Sequence, residues 1–383
     1  MRKKDIAFFI THPTPYLSPL FRKLSQNNNI NLIVYYFSSE STKEFFDKDF
    51  GLIQWDSDLL GGHQYEFIKN NPFESVNFNI IKKLKGNNYD CVIVQGWNTL
   101  PHWIVFFTAF ILKIPVFLRV EMPLNQELLK NKIKLILKSI ILKPLFRRVS
   151  IFLAIGKQNS DFFKSYNVPG EKIFFSPYAV DNTFFRSRYI DLKEQKQDFK
   201  IKYGLNDYKK IILFVGKLQT KKRPLDLIKA FHLSDIKDSC LVFVGEGLLR
   251  NELELYIDNH NLKNVFLMGF RNQKELPNFY TIADLFILPS GIGETWGLVI
   301  NEAMNYNLPI IASKTVGSCD DLIVNNGLTF EEGSIDSLSI KIKEVLSSPK
   351  LKYMGDESYN IVQNYSYQAT ELAIMNIIKQ GIL

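Results

Sequence analysis

Short apolar segments alternate with helix-like segments along two stretches of the chain, and this alternation constrains the fold most. Helix-like segments such as SPLFRKLSQ (18–26) and LLRNELELYIDNH (248–260) lie between the apolar ones. Apolar segments rich in β-branched and aromatic residues are typical of parallel strands covered on both faces. The pattern predicts two doubly wound α/β domains. The predicted strands are 6–10, 30–37, 90–96, 115–120 and 151–156 in the first half, and 211–216, 240–245, 265–270, 284–290 and 309–313 in the second.

The chain of 383 residues is long enough for two domains with separate cores. Residues 185–210 are polar and charged, which predicts a linker with a short helix. We therefore predict an N-terminal domain over 1–184, rejoined by the final helix 367–383, and a linker and C-terminal domain over 185–366. In doubly wound domains, ligands bind beyond the carboxyl ends of the strands.

Composition excludes several classes of protein. Hydrophobic residues make up 46% of the chain, which excludes a disordered one. The formal charge of +8 permits an anionic partner, such as a nucleotide, a phospholipid surface or nucleic acid, and does not distinguish among them. Cys91, Cys240 and Cys319 are far apart and belong to no zinc or disulfide pattern, which favours the reducing cytoplasm. Asp5 follows the basic start, and no small-residue cleavage site comes after the short apolar run, which argues against a signal peptide. Trp103–Leu112 is too short to span a bilayer, so we expect a soluble or peripheral protein.

The segment PSGIGETWGLVINEAM (289–304) combines a turn with a helix-forming tail. Glu294 and Glu302 are eight residues apart, and Gly297 lies between them, where the helix is predicted to begin. A helix N-terminus can hold a phosphate, and a carboxylate accepts hydrogen bonds from sugar hydroxyls. Five residues of helix separate Gly297 from Glu302 by ~7–8 Å, about the reach from a diphosphate to a sugar hydroxyl. A capped surface helix with two solvated glutamates would give the same pattern.

Two lysines follow the first strand of the second series. In FVGKLQTKKRP (214–224), Lys217 comes directly after the strand and Lys222 five residues later. Lysine is a compact charge that suits a phosphate, although a solvated basic loop is the alternative. The segment VGEG (244–247) lacks the third glycine and the ribose-binding acid of the dinucleotide fingerprint, which favours a structural role.

Read in order, these segments resemble the retaining glycosyltransferases of family 4, the glycosyl transferases group 1, over nearly the whole chain. The resemblance implies a GT-B fold, with two Rossmann-like doubly wound domains facing a central cleft. It also implies a metal-independent retaining hexosyltransferase that uses a UDP- or GDP-linked sugar and a glycan or lipid-linked acceptor. Surface polysaccharide or glycolipid synthesis is the expected setting. The motifs that carry the resemblance are FVGKLQTKKRP, CLVFVGEG, NVFLMGF, YTIADLFILPSGIGETWGLVINEAM and NLPIIASKTVGSCDDLI.

The resemblance also implies a role for each matching residue. Lys217 and Lys222 would hold the donor diphosphate, Glu294 would contact the transferred sugar, and Glu302 would bind the ribose. Fixed cations and a helix terminus can stabilise a leaving diphosphate, so no metal or other cofactor is expected. The remaining donor contacts would come from Gly216, from the turn at Gly269 and Arg271 toward the base, and from the backbone N–H groups of Gly297, Leu298 and Val299.

Three features depart from the family pattern. Lys217 stands where arginine is usual, and THPTPYLSP (11–19) replaces a glycine pair. In LRVEMP (118–123), Glu121 stands where many members have a histidine near the reacting carbon. Glu121 is therefore an active-site candidate, and a strand-end glutamate paired with Arg119 is the alternative. Segment 49–67 resembles one branch of the family and supplies the acceptor candidates Trp55, Asp56 and His63.

Residues 128–148 carry seven basic and no acidic residues among leucines and isoleucines. A basic amphipathic helix is typical of binding to an anionic membrane surface. A helix packed on its domain, with a solvated basic face, would have the same sequence. The apolar residues of this segment must either enter lipid or be buried in the domain.

Three other functions are weighed against glycosyl transfer. A GT-B-like nucleotide-sugar epimerase would need additional acid–base groups, and no convincing set is found. A nucleotide-sugar- or glycan-binding protein without turnover would not require both lysines and both glutamates of the donor motifs. Nucleic-acid binding is not expected, because the basic residues are dispersed, apart from those of 128–148, and no recognition motif is present.

Overall fold

The structure is a computed structural model that describes residues 2–42, 45–47, 51–53, 58–68 and 78–381. It divides into two compact units. The N-terminal unit contains most residues up to Tyr178 and the C-terminal segment from Ser366, whereas the C-terminal unit consists mainly of Ala179–Tyr365. The boundary predicted after residue 184 lies inside a helix, Asn182–Leu192.

The N-terminal unit is built on a seven-stranded sheet in which every pair of neighbouring strands is parallel. The strand order is β5-β2-β1-β6-β7-β8-β9, so the order reverses between β1 and β6. The strands of this sheet are β1 Lys4–Ile10, β2 Ile30–Tyr36, β5 Gln64–Phe67, β6 Cys91–Gln95, β7 Val116–Arg119, β8 Ile151–Ala154 and β9 Ile173–Phe175. A separate two-stranded sheet pairs β3 Phe45–Asp47 with β4 Gly51–Ile53, and most of it is grouped with the C-terminal unit.

Helices connect and cover these strands. The buried faces of the helices and the central strands form one apolar cluster that includes Val94, Phe106 and Phe152. The final helix of the chain belongs to this unit and contacts the first one. The helices are α1 Ser18–Gln26, α2 Phe78–Gly86, α3 Leu100–Ile111, α4 Leu124–Glu127, α5 Lys132–Arg148, α6 Lys157–Ser165 and α16 Tyr367–Lys379.

The C-terminal unit repeats this architecture with a six-stranded parallel sheet. Its order is β12-β11-β10-β13-β14-β15, which reverses between β10 and β13. The strands are β10 Lys210–Val215, β11 Ser239–Val244, β12 Val265–Leu267, β13 Leu285–Leu288, β14 Ile310–Ser313 and β15 Gly327–Phe330.

The helices of this unit are α7 Asn182–Leu192, α8 Lys196–Lys202, α9 Pro224–Ser234, α10 Arg250–Asn259, α11 Leu276–Ile282, α12 Leu298–Met304, α13 Cys319–Leu322, α14 Ile335–Leu346 and α15 Leu351–Val362.

The predicted doubly wound α/β architecture is confirmed in both units. Each of the ten segments predicted as strands contains a strand. The prediction succeeds because a strand covered on both faces must be apolar along its length. The three cysteines are buried free thiols. The predicted linker over 185–210 is instead largely helical: α7 is capped by Asp181, whose side chain accepts a hydrogen bond from the Phe184 N–H, and it packs against α11.

Candidate functional site

The carboxyl ends of β10 and β13 bring two distant segments of the chain together. The strands are hydrogen-bonded neighbours, with Ile212 beside Leu285, at the point where the strand order reverses. Ligands of open α/β sheets bind at such a switch point. The loop after β10 begins at Gly216 and the loop after β13 begins at Pro289, so both predicted donor motifs leave the sheet at this point.

Lys222 and Glu294 form an ion pair between these two loops, through Nζ and Oε2. The loops are also joined by their backbones, since the Gly291 N–H donates to the Lys221 carbonyl over 2.8 Å. A Cβ atom placed on Gly216 would lie 3.8 Å from Cε of Lys222. Three residues predicted to act on the donor are therefore neighbours, and the cation of Lys222 is held at the end of β10.

Glycines after β10 and β11 allow the two loops to pack backbone against backbone. A Cβ on Gly245 would lie 1.9 Å from the carbonyl oxygen of Gly216, and one on Gly247 would lie 2.5 Å from that of Leu218. Leu218 N–H donates to the Glu246 carbonyl over 2.8 Å. The VGEG segment thus has the structural role that its incomplete fingerprint favoured. It fixes the path of the loop in which half-buried Lys217 follows Gly216.

The start of α12 is fixed by Trp296 and Gly297. The buried indole of Trp296 donates to Oδ1 of Asn301 over 2.9 Å, and its carbonyl accepts from Oγ of Ser318 over 2.5 Å. Gly297 has φ of +86°, and a Cβ there would lie 2.7 Å from a methyl group of Leu288. The first N–H groups of a helix have no acceptor within the helix. In α12 these are the N–H groups of Leu298 and Val299.

Both glutamates of this segment are buried, so the interpretation as two solvated glutamates is wrong. Glu294 is 9% exposed and Glu302 is 2% exposed. Tyr280 donates its hydroxyl to Oε2 of Glu302 over 2.6 Å, and burial raises the pKa of Glu302 to about 7. Burying a carboxylate is costly, and strongly perturbed carboxyls cluster at functional sites. Tyr280 was not predicted, although it lies within the quoted segment YTIAD.

We predict that Glu302 makes the folding stability depend on pH. Its pKa is raised in the folded protein, so between about pH 4.5 and pH 7 the folded chain binds a proton that the unfolded chain has released. Its contribution to the free energy of unfolding therefore becomes less favourable as pH rises through this window, by at most about 3 kcal/mol. In Glu302→Gln, the amide oxygen can still accept the hydrogen bond from Tyr280. The side chain no longer binds a proton, so the pH-dependent contribution to stability disappears.

Urea unfolding of both proteins between about pH 5 and pH 8 measures this effect. The stability of Glu302→Gln relative to the original protein should increase with pH. Parallel pH profiles would show that Glu302 is ionised normally in the folded chain.

The turn at Gly269 and Arg271 lies at the carboxyl ends of β11 and β12. The Gly245 N–H donates to the Gly269 carbonyl over 2.9 Å, and Gly269 has φ of +73°. Arg271 forms an ion pair with Glu275, with Nη1 and Oε1 3.4 Å apart. This turn therefore leaves the same edge of the sheet as the loops that carry Lys217 and Glu294.

Glu121 lies in the N-terminal unit, just beyond the carboxyl end of β7. The buried Arg119 donates from Nη1 to Oε1 of Gln95 over 3.1 Å, and Gln95 donates from Nε2 to Oε1 of Glu121 over 3.2 Å. The Arg119 guanidinium lies 5.0 Å from the ring centroid of Tyr178, and burial lowers the pKa of Arg119. Gln95 thus links Arg119 to Glu121 and orients the Glu121 carboxylate. The sequence did not indicate this role of Gln95.

The acceptor candidates lie apart from these groups in the sequence. Trp55 and Asp56 are outside the described residues. His63 is hydrogen-bonded through Nε2 to the Tyr36 hydroxyl over 3.0 Å, its ring centroid is 5.5 Å from that of Phe21, and burial lowers its pKa. The structure therefore packs His63 against β2 and α1 of the N-terminal unit.

Two features are absent from the described part of the chain. Within residues 2–42, 45–47, 51–53, 58–68 and 78–381, no three His, Cys, Asp or Glu residues lie together as a metal site would require. Over the same ranges, no helix has the length and apolar character needed to cross a membrane.

Comparison with protein families identifies the C-terminal unit. Residues 195–367 match the family model described as glycosyl transferases group 1. This region belongs to that family. The match contains Lys217, Lys222, Glu294 and Glu302, and it confirms the resemblance drawn from the motifs.

Curated relatives match this chain over part of its length. It is 34% identical over 211 residues to UDP-Gal:alpha-D-GlcNAc-diphosphoundecaprenol alpha-1,3-galactosyltransferase of Escherichia coli, over 52% of each chain. It is 31% identical over 176 residues to alpha-monoglucosyldiacylglycerol synthase of Acholeplasma laidlawii, over 41% of this chain and 43% of that one. The chain spans about half the length of most of the curated relatives that it matches.

Solved structures establish the fold over the whole chain. The crystal structure of Anabaena Alr3699/HepE in complex with UDP has a TM-score of 0.74 and 18% identity, and covers 99% of this chain and 100% of that one. The two parallel sheets and this similarity confirm the GT-B fold.

Proposed function

We propose that the protein transfers a sugar from a nucleotide sugar to a glycan or lipid-linked acceptor, with retention of anomeric configuration. The observation that carries this proposal is the ion pair between Lys222 and Glu294 at the switch point of the C-terminal sheet, beside Gly216. A fixed cation at that point can neutralise a diphosphate, and a fixed carboxylate can accept hydrogen bonds from a sugar. Retention is proposed because the donor motifs resemble those of retaining enzymes.

Each donor residue has a role in this proposal. Lys222 and Lys217 stabilise the negative charge that develops on the UDP or GDP leaving group as the glycosidic bond breaks. Glu294 orients the transferred hexose, and Glu302 binds the ribose hydroxyls. The backbone N–H groups at Gly297, Leu298 and Val299 face the phosphates, and the turn at Gly269 and Arg271 contacts the base. Such preorganised charges act without reorganisation during the reaction.

The acceptor is proposed from the relatives' names and from the N-terminal unit. One relative acts on a diphosphoundecaprenol-linked sugar and another is a glucosyldiacylglycerol synthase, so we propose a lipid-linked or glycan acceptor here. Glu121, held by Gln95, is proposed as the active-site group of the N-terminal unit, and His63 as a contributor to the acceptor region. The expected location is cytoplasmic, at the inner face of a membrane.

Incubating the protein with a panel of UDP- and GDP-linked sugars tests the proposal. We expect one donor to raise the thermal unfolding temperature and to be slowly hydrolysed to free sugar and nucleoside diphosphate. Formation of an epimerised nucleotide sugar would show instead that the protein is an epimerase. Donor binding with no hydrolysis, and no transfer to any lipid-linked or glycan acceptor, would indicate a binding protein without turnover.

We predict that transfer needs no divalent metal, because Lys217 and Lys222 supply the positive charge at the diphosphate. Adding a chelator should leave the rate of donor turnover unchanged within about twofold, a barrier change of less than about 0.5 kcal/mol. Loss of activity in chelator that magnesium or manganese restores would contradict this prediction.

A further inference from the structure

The long helix α5 presents apolar residues on two opposite sides. Leu142, Leu145 and Phe146 are buried in the core of the N-terminal unit. The opposite side carries large aliphatic residues at i, i+3, i+4, i+7 and i+8, which form one stripe along a helix. These outward residues are 50–67% exposed, so the domain does not bury them, and they are Ile133, Ile136, Leu137, Ile140 and Ile141.

Exposed cations flank this stripe on both sides. At 100° per residue, Lys132 and Lys143 lie about 90–110° to one side of the stripe and Lys134 about 90° to the other. Lys132, Lys134 and Lys143 are all exposed. Lys130 and Lys138 have a different role, since both pair with the buried carboxylate of Glu127. The pair with Lys138 joins the middle of α5 to α4, and Lys130 lies in the short segment between the two helices.

Exposed apolar residues also lie on α3 of the same unit. Leu100, Phe107 and Ile111 are 51–78% exposed and lie at i, i+7 and i+11, along one side of that helix. The Arg148 guanidinium lies 5.8 Å from the ring centroid of Phe110, so the end of α5 lies beside the C-terminal half of α3. Leu128 and Leu129, just before α5, are also exposed.

We propose that the outward stripe of α5 docks on an anionic lipid bilayer, with the aliphatic residues in the interface and the flanking lysines at the headgroups. An apolar stripe bordered by cations is the arrangement of helices that lie in a membrane interface. A second copy of the chain does not fit this surface. A two-fold interface places the same patch on itself, and 128–148 has no acidic residue to meet the lysines.

Co-sedimentation with vesicles tests the proposal without donor or acceptor, so its outcome is independent of the proposed enzymatic function. At low salt the protein should bind vesicles of phosphatidylglycerol mixed with phosphatidylcholine, and bind pure phosphatidylcholine much more weakly. Each cation near a charged surface contributes about fivefold in affinity. Reversing three charges should therefore weaken binding more than about a hundredfold. The charge variant combines Lys132→Glu, Lys134→Glu and Lys143→Glu.

An apolar variant and a matched control complete the test. The apolar variant combines Ile136→Ser, Leu137→Ser and Ile140→Ser, which lie opposite the core, so circular dichroism and thermal unfolding should be unchanged. It should bind vesicles at least about tenfold more weakly. The control alters exposed residues of the C-terminal unit and should bind normally. It combines Lys229→Glu, Lys263→Glu, Lys352→Glu, Leu255→Ser and Ile340→Ser.

Three results would overturn the proposal. The first is no binding to anionic vesicles at low salt. The second is equal loss of binding in the control and in the two α5 variants. The third is a dimer in solution that the apolar variant dissociates, since the stripe would then be covered by a second copy.

Discussion

Replacing Glu294 by glutamine should lower kcat about 10²–10³-fold while leaving the protein folded. The substitution keeps the size of the side chain and one hydrogen-bond acceptor, but it removes the charge that pairs with Lys222. In the proposed mechanism this carboxylate holds the transferred hexose, so its loss acts on the transition state. The effect on folding should be small, about 1–2 kcal/mol, because the amide can still accept a hydrogen bond from Lys222.

The matched control for this variant is Glu332→Gln. Glu332 also forms an ion pair with a residue of the loop after β10, because Nη1 of Arg223 lies 3.2 Å from its Oε1. Glu332 has no predicted role in the donor site, so its variant should keep kcat within a few-fold. Steady-state kinetics with the best donor, together with thermal unfolding of both variants, separates catalysis from stability. A Glu294→Gln enzyme with nearly normal transfer would remove Glu294 from the site.

The central strands and the donor motifs could be predicted from the sequence. The residues of the central strands are constrained on both faces of the sheet. Phe214 and Ile287 must be apolar, since helices cover both faces of the sheet that contains them. Three of the four edge strands of the two large sheets were not predicted. Residues QYEF of β5, IFF of β9 and GLTF of β15 pair on one side only, and apart from the buried Phe330 their side chains are half-buried or exposed, so their apolar signal is weak.

The contacts that set the chemistry of the site could not be predicted in the same way. The sequence places Glu302 eight residues after Glu294, but the hydrogen-bond partner of its buried carboxylate is Tyr280, which belongs to α11. Likewise, Gln95 ends β6 and Glu121 lies just beyond β7, and only the pairing of these two strands brings the residues together. Long-range contacts of this kind leave no periodic signal in the sequence.

The same limit applies to α5. Its sequence was equally consistent with membrane docking and with packing on the domain, because it contains enough apolar residues for both. The structure shows that the helix has two apolar sides and that only one of them is used by the core. It also shows that Lys130 and Lys138 form ion pairs with Glu127.

Replacing Lys222 by alanine should cost about 2–4 kcal/mol of transition-state stabilisation, the scale for removing one preorganised charge partner. Lys222 is part-buried between two loops, so its ammonium group is held at the end of β10 before any donor binds. As the bond to the sugar breaks, negative charge grows on the diphosphate. The fixed cation therefore stabilises the transition state more than the ground state. The loss should therefore appear mainly in kcat.

The neighbouring Lys221→Ala is the control for this variant, because the Lys221 side chain is exposed and its contribution to the loop contact comes from the backbone carbonyl. It should keep nearly full activity. Combining Lys222→Ala with Glu294→Gln should cost less than the sum of the single losses, since each residue fixes the other and paired groups are not additive. Strict additivity, or equal losses in Lys221→Ala and Lys222→Ala, would show that the ion pair does not act as a unit at the donor diphosphate.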